Sequence, residues 1–358
     1  MPPPHTDEVA WPGFCLPAEV PWFCDEAVRS RGLVETGNTR RPIMQPPPSH
    51  VRVEPPGLEF AVDDSNGDLR QRLDAHVQKA LARADCGQIV YEDLCPYRAS
   101  DDDGPDGERI LQFESRFESG NLQRAVRVGP NEYDLFLRPD KSINSTANVQ
   151  WYYFMVRNMR NGVPYVFNVV NFVKPKSLYN VGLRPLLYSE KEARGRRSGV
   201  GWHRAGSNVA YCRRGNRYAL SFTMSFKYEG DTCFLAHCYP YTYTDCQIFL
   251  TDLVNDPIRK EFCRKSVLCR SFAGNIVDLV EISEGVHDEN SPAEPKPSIL
   301  LSARVHPGET QGSWAIQSCL EFLTSSLPEA KLLRSHYTLY VIPMLNPDGV
   351  INGHYRCS

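Results

Sequence analysis

Ile299-Leu-Leu-Ser-Ala-Arg-Val-His306-Pro-Gly-Glu309 is the stretch that decides how this chain folds. Its opening residues form an apolar run with strand character, and Pro307 with Gly308 forces a turn directly afterwards. Downstream, Trp314 to Leu323 has helical spacing, and Tyr337 to Ile342 returns to a strand-like run. Strand, helix and strand in that order predict a parallel crossover of α/β type. In open parallel sheets ligands bind beyond the carboxyl ends of the strands, which is where His306 and Glu309 fall. Imidazole and carboxylate are both zinc-ligand types, and the turn lets them converge on one ion at about 2.0 to 2.2 Å.

Spacing alone leaves a second explanation open. His5-Thr-Asp-Glu8 repeats it in a proline-rich segment where nothing holds the side chains, and a strand-end turn whose His and Glu cap the next helix has the same pattern. A catalytic zinc takes three protein ligands, an open position and a nearby base. His336, ahead of the second strand, and His354, after it, are candidates for a third ligand, each weighed against a surface or loop position. Pro343-Met-Leu-Asn346-Pro-Asp-Gly349-Val350 falls where the second strand ends. Its Asn-Pro and Asp-Gly pairs demand tight turns, which can be their whole purpose. The alternative is a loop that shapes a pocket floor and presents Arg356, whose guanidinium can grip a terminal carboxylate through two parallel hydrogen bonds.

Working outward, the chain divides into four parts. Residues 1–57 hold 12 of the 28 prolines and are expected to be mostly disordered. Residues 58–110 form a lead-in: an amphipathic helix through Leu69, Leu73, Val77, Ala80 and Leu81, then the acidic loop Asp101 to Asp106. From 111 to 230 the period changes to two, with Tyr133, Leu135 and Leu137 alternating against polar neighbours and aromatic runs at Trp151 to Val156, Tyr165 to Phe172 and Leu220 to Phe226. That pattern predicts an antiparallel β-sandwich. Within it Arg194, Arg196, Arg197, Arg204, Arg213, Arg214 and Arg217 form either a solvated hairpin region or an anion-binding surface. Residues 231–358 are expected to be the first part of an α/β domain, opening with a strand in Thr232 to Tyr243, a helix capped by Thr244 and a strand at Ile276 to Ile282.

With 358 residues, 41% of them hydrophobic, the chain can bury a sizeable core in two domains. A formal charge of −3 excludes a globally basic nucleic-acid binder. No apolar run approaches the roughly 18 residues of a membrane span, and the first residues lack the basic and apolar regions of a signal peptide, so a cytosolic protein without membrane contact is expected. The 12 cysteines contain no Cys-x-x-Cys pair, which favours reduced thiols over a disulfide framework or zinc ribbon.

Taken together, His306-Pro-Gly-Glu309, the Asn346-Pro-Asp-Gly-Val350 loop and Arg356 resemble the zinc carboxypeptidases. Phe113-Glu-Ser-Arg-Phe-Glu-Ser-Gly-Asn-Leu122, Lys174-Pro-Lys-Ser-Leu178, Asp231-Thr-Cys-Phe234 and Tyr239-Pro-Tyr-Thr-Tyr-Thr244 look like the cytosolic carboxypeptidases, in the branch numbered two and three and nearer the third. The likeness runs from about Leu111 to Ser358. It implies a β-sandwich followed by an α/β carboxypeptidase domain with one zinc ion. It also implies removal of glutamates from polyglutamate side chains or acidic C-terminal tails, with polyglutamylated tubulin as the main partner, in the cytosol and at microtubule-rich structures such as centrioles or the cilium base. Under the resemblance His306 and Glu309 match the first two zinc ligands, and Arg356 matches an arginine that helps bind the substrate carboxylate. The family pattern goes on to an Asp-Leu-Asn-Arg segment, a further histidine ligand and a much later glutamate base. None of these occurs by Ser358, and neither His336 nor His354 corresponds to the missing ligand, so no general base and an incomplete zinc site are expected within this chain. A non-catalytic module that binds acidic tails, and a zinc deacylase of N-acyl amino acids, are the alternatives.

Overall fold

The computed structural model describes residues 87–93, 109–140, 148–194, 201–284 and 296–356. The proline-rich segment, the expected helix through Leu69 to Leu81 and the acidic loop at Asp101 to Asp106 lie outside the described residues.

The first body is a two-sheet sandwich. Its strands are β1 (Gln88–Glu92), β2 (Gln112–Glu114), β3 (Arg124–Gly129), β4 (Glu132–Phe136), β5 (Tyr153–Arg157), β6 (Pro164–Phe172), β7 (Leu186–Ser189), β8 (His203–Arg204), β9 (Ser207–Arg214), β10 (Arg217–Ser225) and β11 (Cys233–Ala236). One sheet runs β1-β3-β4-β6-β10-β9 and the other β2-β5-β11-β7-β8. Their facing sides bury one aromatic core in which Phe113 meets Tyr133 at 5.4 Å and Phe167 meets Phe222 at 5.5 Å between ring centroids. Side chains of this kind each stabilise the fold by roughly 1.5–3 kcal/mol through burial alone.

Three expectations are corrected here. The sandwich is not wholly antiparallel: β4 and β6 pair in parallel, because β5 between them lies in the opposite sheet and the chain crosses over before returning. The lead-in to residue 110 contains a sandwich strand, since β1 pairs with β3. The sandwich also runs past residue 230, because β11 pairs with both β5 and β7. Cys233-Phe-Leu-Ala236 shows no alternation because all four residues are buried, Cys233 and Leu235 in the inter-sheet core and Phe234 and Ala236 on the opposite face.

The second body holds β12 (Cys263–Arg270), β13 (Ile276–Ile282), β14 (Ser298–Ser302) and β15 (Thr338–Ile342) in the order β12-β13-β15-β14. Helix α1 (Tyr243–Asn255) starts at a capping box formed by Thr242 and Asp245, two residues before the expected cap. β14 and β15 are parallel, from Ser298 opposite Thr338 to Ser302 opposite Ile342, and the crossover between them carries α2 (Gln311–Leu323) and α3 (Pro328–His336). A short helix, α4 (Pro347–Ile351), follows β15.

The two bodies are joined by a largely aromatic seam. Phe117, Trp151, Tyr153, Met155 and Phe234 on the outer face of the second sandwich sheet pack with Tyr355. Hydrogen bonds cross it as well: Ser119 donates from its backbone to Ile351 O at 2.9 Å and from its hydroxyl to Val350 O at 2.8 Å. The Glu118 carboxylate accepts from Thr244 N at 3.0 Å and Thr244 Oγ1 at 2.7 Å at the start of α1. The Phe113 to Leu122 block therefore docks the sandwich on the segment that follows β15.

Candidate metal and carboxylate site

β14 ends at Ser302, and the chain then leaves the sheet by a fixed route. Ala303 N donates to Ile342 O, Leu345 N to Ala303 O and Asn346 N to Arg304 O, so the exit is pinned to the end of β15. Arg304 takes a left-handed φ of 58°, an uncommon conformation for a residue with a side chain. Its guanidinium is buried, donating from Nε and Nη2 to Pro307 O at 3.1 and 2.8 Å, and from Nη1 to Tyr241 O at 3.0 Å and Ser313 Oγ at 2.7 Å. All three acceptor oxygens are uncharged, and burial pushes the Arg304 guanidinium down to about 10.

This exit delivers His306 to the carboxyl end of a parallel strand. Glu309 N donates to His306 O at 3.2 Å, and Gly308 N donates to Tyr355 O at 2.9 Å, closing the turn against the segment after α4. The two motif glycines are set by contact. A Cβ at Gly308 would lie 2.5 Å from the Tyr355 ring, and one at Gly349 would lie 2.6 Å from Pro307 Cγ. The Pro-Gly turn and the Asp-Gly loop thus fit directly into one another.

The capping explanation for His306 and Glu309 fails. Thr310 is the N-cap of α2 and makes no side-chain capping bond, and neither His306 nor Glu309 supplies one in its place. His306 Nδ1 is buried and has no hydrogen-bond partner among the described residues. Leaving such a nitrogen unsatisfied costs about 1–3 kcal/mol, which a ligand on its lone pair would remove. Imidazole with a neighbouring carboxylate is a donor set that suits zinc, so the residues present fit that ion. No group of three metal-type side chains occurs among the described residues.

Arg356 is brought to the pair, with its Nη2 3.9 Å from Glu309 Oε1 and both side chains 39% exposed. Its backbone is held from the sandwich. The buried Asp140 carboxylate accepts from Tyr355 N and Arg356 N, each at 2.7 Å. Lys174, from the Lys174 to Leu178 block, donates to Tyr355 Oη at 3.1 Å and lies 4.5 Å from the centre of that ring.

Other candidates are not brought in. His336 ends α3, exposed, with Nδ1 2.9 Å from both Leu332 O and Ser335 Oγ. It precedes β15 whereas His306 follows the parallel β14, so the two lie at opposite ends of the sheet. His354 neighbours Tyr355 but joins no three-membered ligand group. Among the described arginines the partners are separate: Arg194 pairs with Glu190, Arg214 with Asp134, and Arg213 and Arg204 bond to nearby carbonyls, while Arg196 and Arg197 lie outside the described residues. The Asp348 carboxylate anchors the β12–β13 loop through Ser271 Oγ, Ala273 N and Asn275 Nδ2, while Asn346 caps α4 at Gly349 N, so the backbone explanation holds for both.

Sequence reasoning missed Arg304 and Asp140. A charged residue inside an otherwise apolar strand exit was a signal for the first. Asp140 had none, because its partners lie more than 200 positions away.

Comparison with known proteins agrees with this geometry. A family model described as zinc carboxypeptidase matches residues 257–357, and one described as cytosolic carboxypeptidase N-terminal domain matches residues 113–237. The chain is 51% identical to cytosolic carboxypeptidase 2 of Danio rerio over 70% of its own length and 35% of that protein's. It is 47% identical to cytosolic carboxypeptidase 3 of Bos taurus over 69% of its own length and 25% of that protein's. The chain thus spans about a third or less of these relatives. Among solved structures, a metallo-carboxypeptidase from Burkholderia cenocepacia aligns with a TM-score of 0.54 at 20% identity, covering 69% of this chain and 59% of that one. A putative carboxypeptidase A from Shewanella denitrificans aligns at 0.53 and 22% identity, over 68% and 57% of the two chains. These two show a shared fold. No helix among the described residues is long and apolar enough to cross a membrane. The chain belongs to the zinc carboxypeptidase family, in its cytosolic carboxypeptidase branch.

Proposed function

We propose that this chain carries part of the active site of a zinc carboxypeptidase that removes glutamates from polyglutamate side chains or acidic C-terminal tails. The observation that carries the reading is the buried Nδ1 of His306, without a hydrogen-bond partner among the described residues, at a parallel strand end three residues before Glu309, whose carboxylate lies 3.9 Å from Arg356. His306 and Glu309 would hold the ion. Bound zinc supplies Lewis acidity, polarising the scissile carbonyl and lowering the pKa of water.

The chain's own residues account for substrate placement. Among the described residues the Arg356 guanidinium pairs with the Glu309 carboxylate at 3.9 Å, beyond hydrogen-bond distance, so its planar fork is available to a substrate's terminal carboxylate. Asp140 holds the Arg356 backbone in advance, which lowers the cost of ordering that fork when substrate binds. No general base is assigned within residues 1–358. Polyglutamylated tubulin and other acidic-tailed proteins are the partners this reading implies, in the cytosol and at centrioles or the cilium base. Its support is the match to relatives named cytosolic carboxypeptidases.

The test is release of free glutamate, read by mass spectrometry, from a peptide bearing a branched triglutamate chain in zinc-supplied protein. Release that disappears in His306→Ala assigns the reaction to this site. Release of apolar or basic C-terminal residues in preference, or deacylation of N-acetylglutamate, would overturn the reading. Saturable binding of the peptide that is unchanged by zinc removal and in His306→Ala would make the chain a module that holds acidic tails.

A further inference from the structure

We infer that Arg304 is the positioning residue for the His306 and Glu309 pair: its guanidinium, chelating the Pro307 carbonyl, sets the angle at which the imidazole and the carboxylate meet a metal ion. The inference rests on the reading of that pair as zinc ligands.

Two features set Arg304 apart from a structural arginine at a helix or strand end. Its backbone sits in the left-handed region at φ 58°, which costs roughly 1–2 kcal/mol for a residue with a Cβ. Its side chain is 4% exposed, and its four hydrogen bonds go to oxygens without formal charge, so no carboxylate bonds it directly and Asp245 acts on it only through space. A hydrophobic residue at position 304 would avoid the cost of burying a charge, while the backbone cost would remain for any residue with a Cβ. What the arrangement provides is geometric. Nε and Nη2 both close on Pro307 O, forming a loop from residue 304 to residue 307 that contains His306. Nη1 ties the same guanidinium to Ser313 on α2 and to Tyr241 ahead of α1. Glu309 begins on the far side of that carbonyl and is fixed to His306 O through its own N–H, and its carbonyl accepts from Gly312 N at 3.0 Å. The left-handed kink aims the exit and the fork locks it, so both ligand side chains leave one rigid frame. Groups that orient metal ligands in this way typically change metal affinity by 10- to 100-fold when removed.

The test uses the full chain and inorganic Zn²⁺, with affinity measured by competition against a chromophoric chelator. Arg304→Met, which fills the space without donors, is expected to weaken zinc binding about 10-fold or more. Arg304→Lys, which keeps the charge and loses the fork, is expected to recover little of it. Leu320→Ala serves as the comparison. It removes a fully buried side chain from α2 without touching the turn, so it lowers the melting temperature and leaves zinc affinity within about two-fold. Arg304→Met binding zinc as wild type does would overturn the inference. So would equal losses in Leu320→Ala and Arg304→Met, since the effect would then be general stability. A wild type that binds zinc no better than His306→Ala would remove the ligand reading itself and the inference with it, a result separable from the first two.

Discussion

Replacing Asp140 tests whether the sandwich builds part of the site. Its carboxylate accepts two backbone hydrogen bonds at 2.7 Å, from Tyr355 and Arg356, at a position 4% exposed. Hydrogen bonds to a charged group contribute about 1.5–3 kcal/mol each, giving an upper figure near 3–6 kcal/mol for the pair. Arg356 is partly exposed, so water can reach at least one freed amide, and the net loss in Asp140→Ala comes to about 2–4 kcal/mol. Asp140→Asn keeps one acceptor oxygen and should lose about half of that. The loss is local, because Tyr355 remains packed against the sandwich while the backbone at 355 and 356 loosens. Native-state hydrogen exchange read by mass spectrometry on peptides covering residues 351–356 should therefore show protection falling by roughly 30- to 1000-fold in Asp140→Ala. Unchanged exchange in a folded variant would show that Tyr355 packing and the Gly308 bond hold the segment unaided, and the claim that the sandwich positions Arg356 would be abandoned.

Three further outcomes can be checked. Gly349→Ala puts a Cβ 2.6 Å from Pro307 Cγ and should destabilise the α/β body by about 1–3 kcal/mol in urea unfolding; a neutral result would show that the two loops do not press together. Gly312→Ala meets nothing closer than 3.8 Å, inside α2, and should be neutral or stabilise by up to about 1 kcal/mol, so a loss above that range would contradict the packing described. His237 accepts or donates at Nδ1 to Tyr179 Oη at 2.9 Å; burial first, then the Arg204 and Lys174 charges, push it down to about 4. Because the folded value lies below the unfolded one near 6.5, its contribution is fully present above pH 6.5 and fades as pH falls toward 4, by about 3 kcal/mol at most. His237→Gln should flatten that part of the stability profile, and equal slopes in both proteins would refute the assignment.

The crossover was legible because its residues carry strong local signals. Ile299 to Ala303 and Tyr337 to Ile342 are short apolar runs of strand length, Trp314 to Leu323 has helical spacing, and the Pro-Gly turn marks the strand exit. The ends of the sandwich were not. Cys233 to Ala236 is buried on both faces, so its pattern carries no sheet assignment, and β1 is a short strand whose register shifts between Ile89 and Tyr91. The site shows the same division. His306 and Glu309 share one turn and could be paired from spacing, whereas the contact of Arg356 with Asp140 depends on how two bodies dock. Arg304 was visible as a residue and not as a function, because a left-handed kink and a fork on a neighbouring carbonyl appear only in three dimensions.

The most direct test of the metal pair is X-ray absorption at the zinc edge on zinc-loaded protein. The account predicts a first shell containing one imidazole nitrogen at about 2.0–2.1 Å and a carboxylate oxygen at about 2.0–2.2 Å, with the imidazole signal lost in His306→Ala. A shell of thiolate sulfurs near 2.3 Å, or a spectrum unchanged by that substitution, would contradict it.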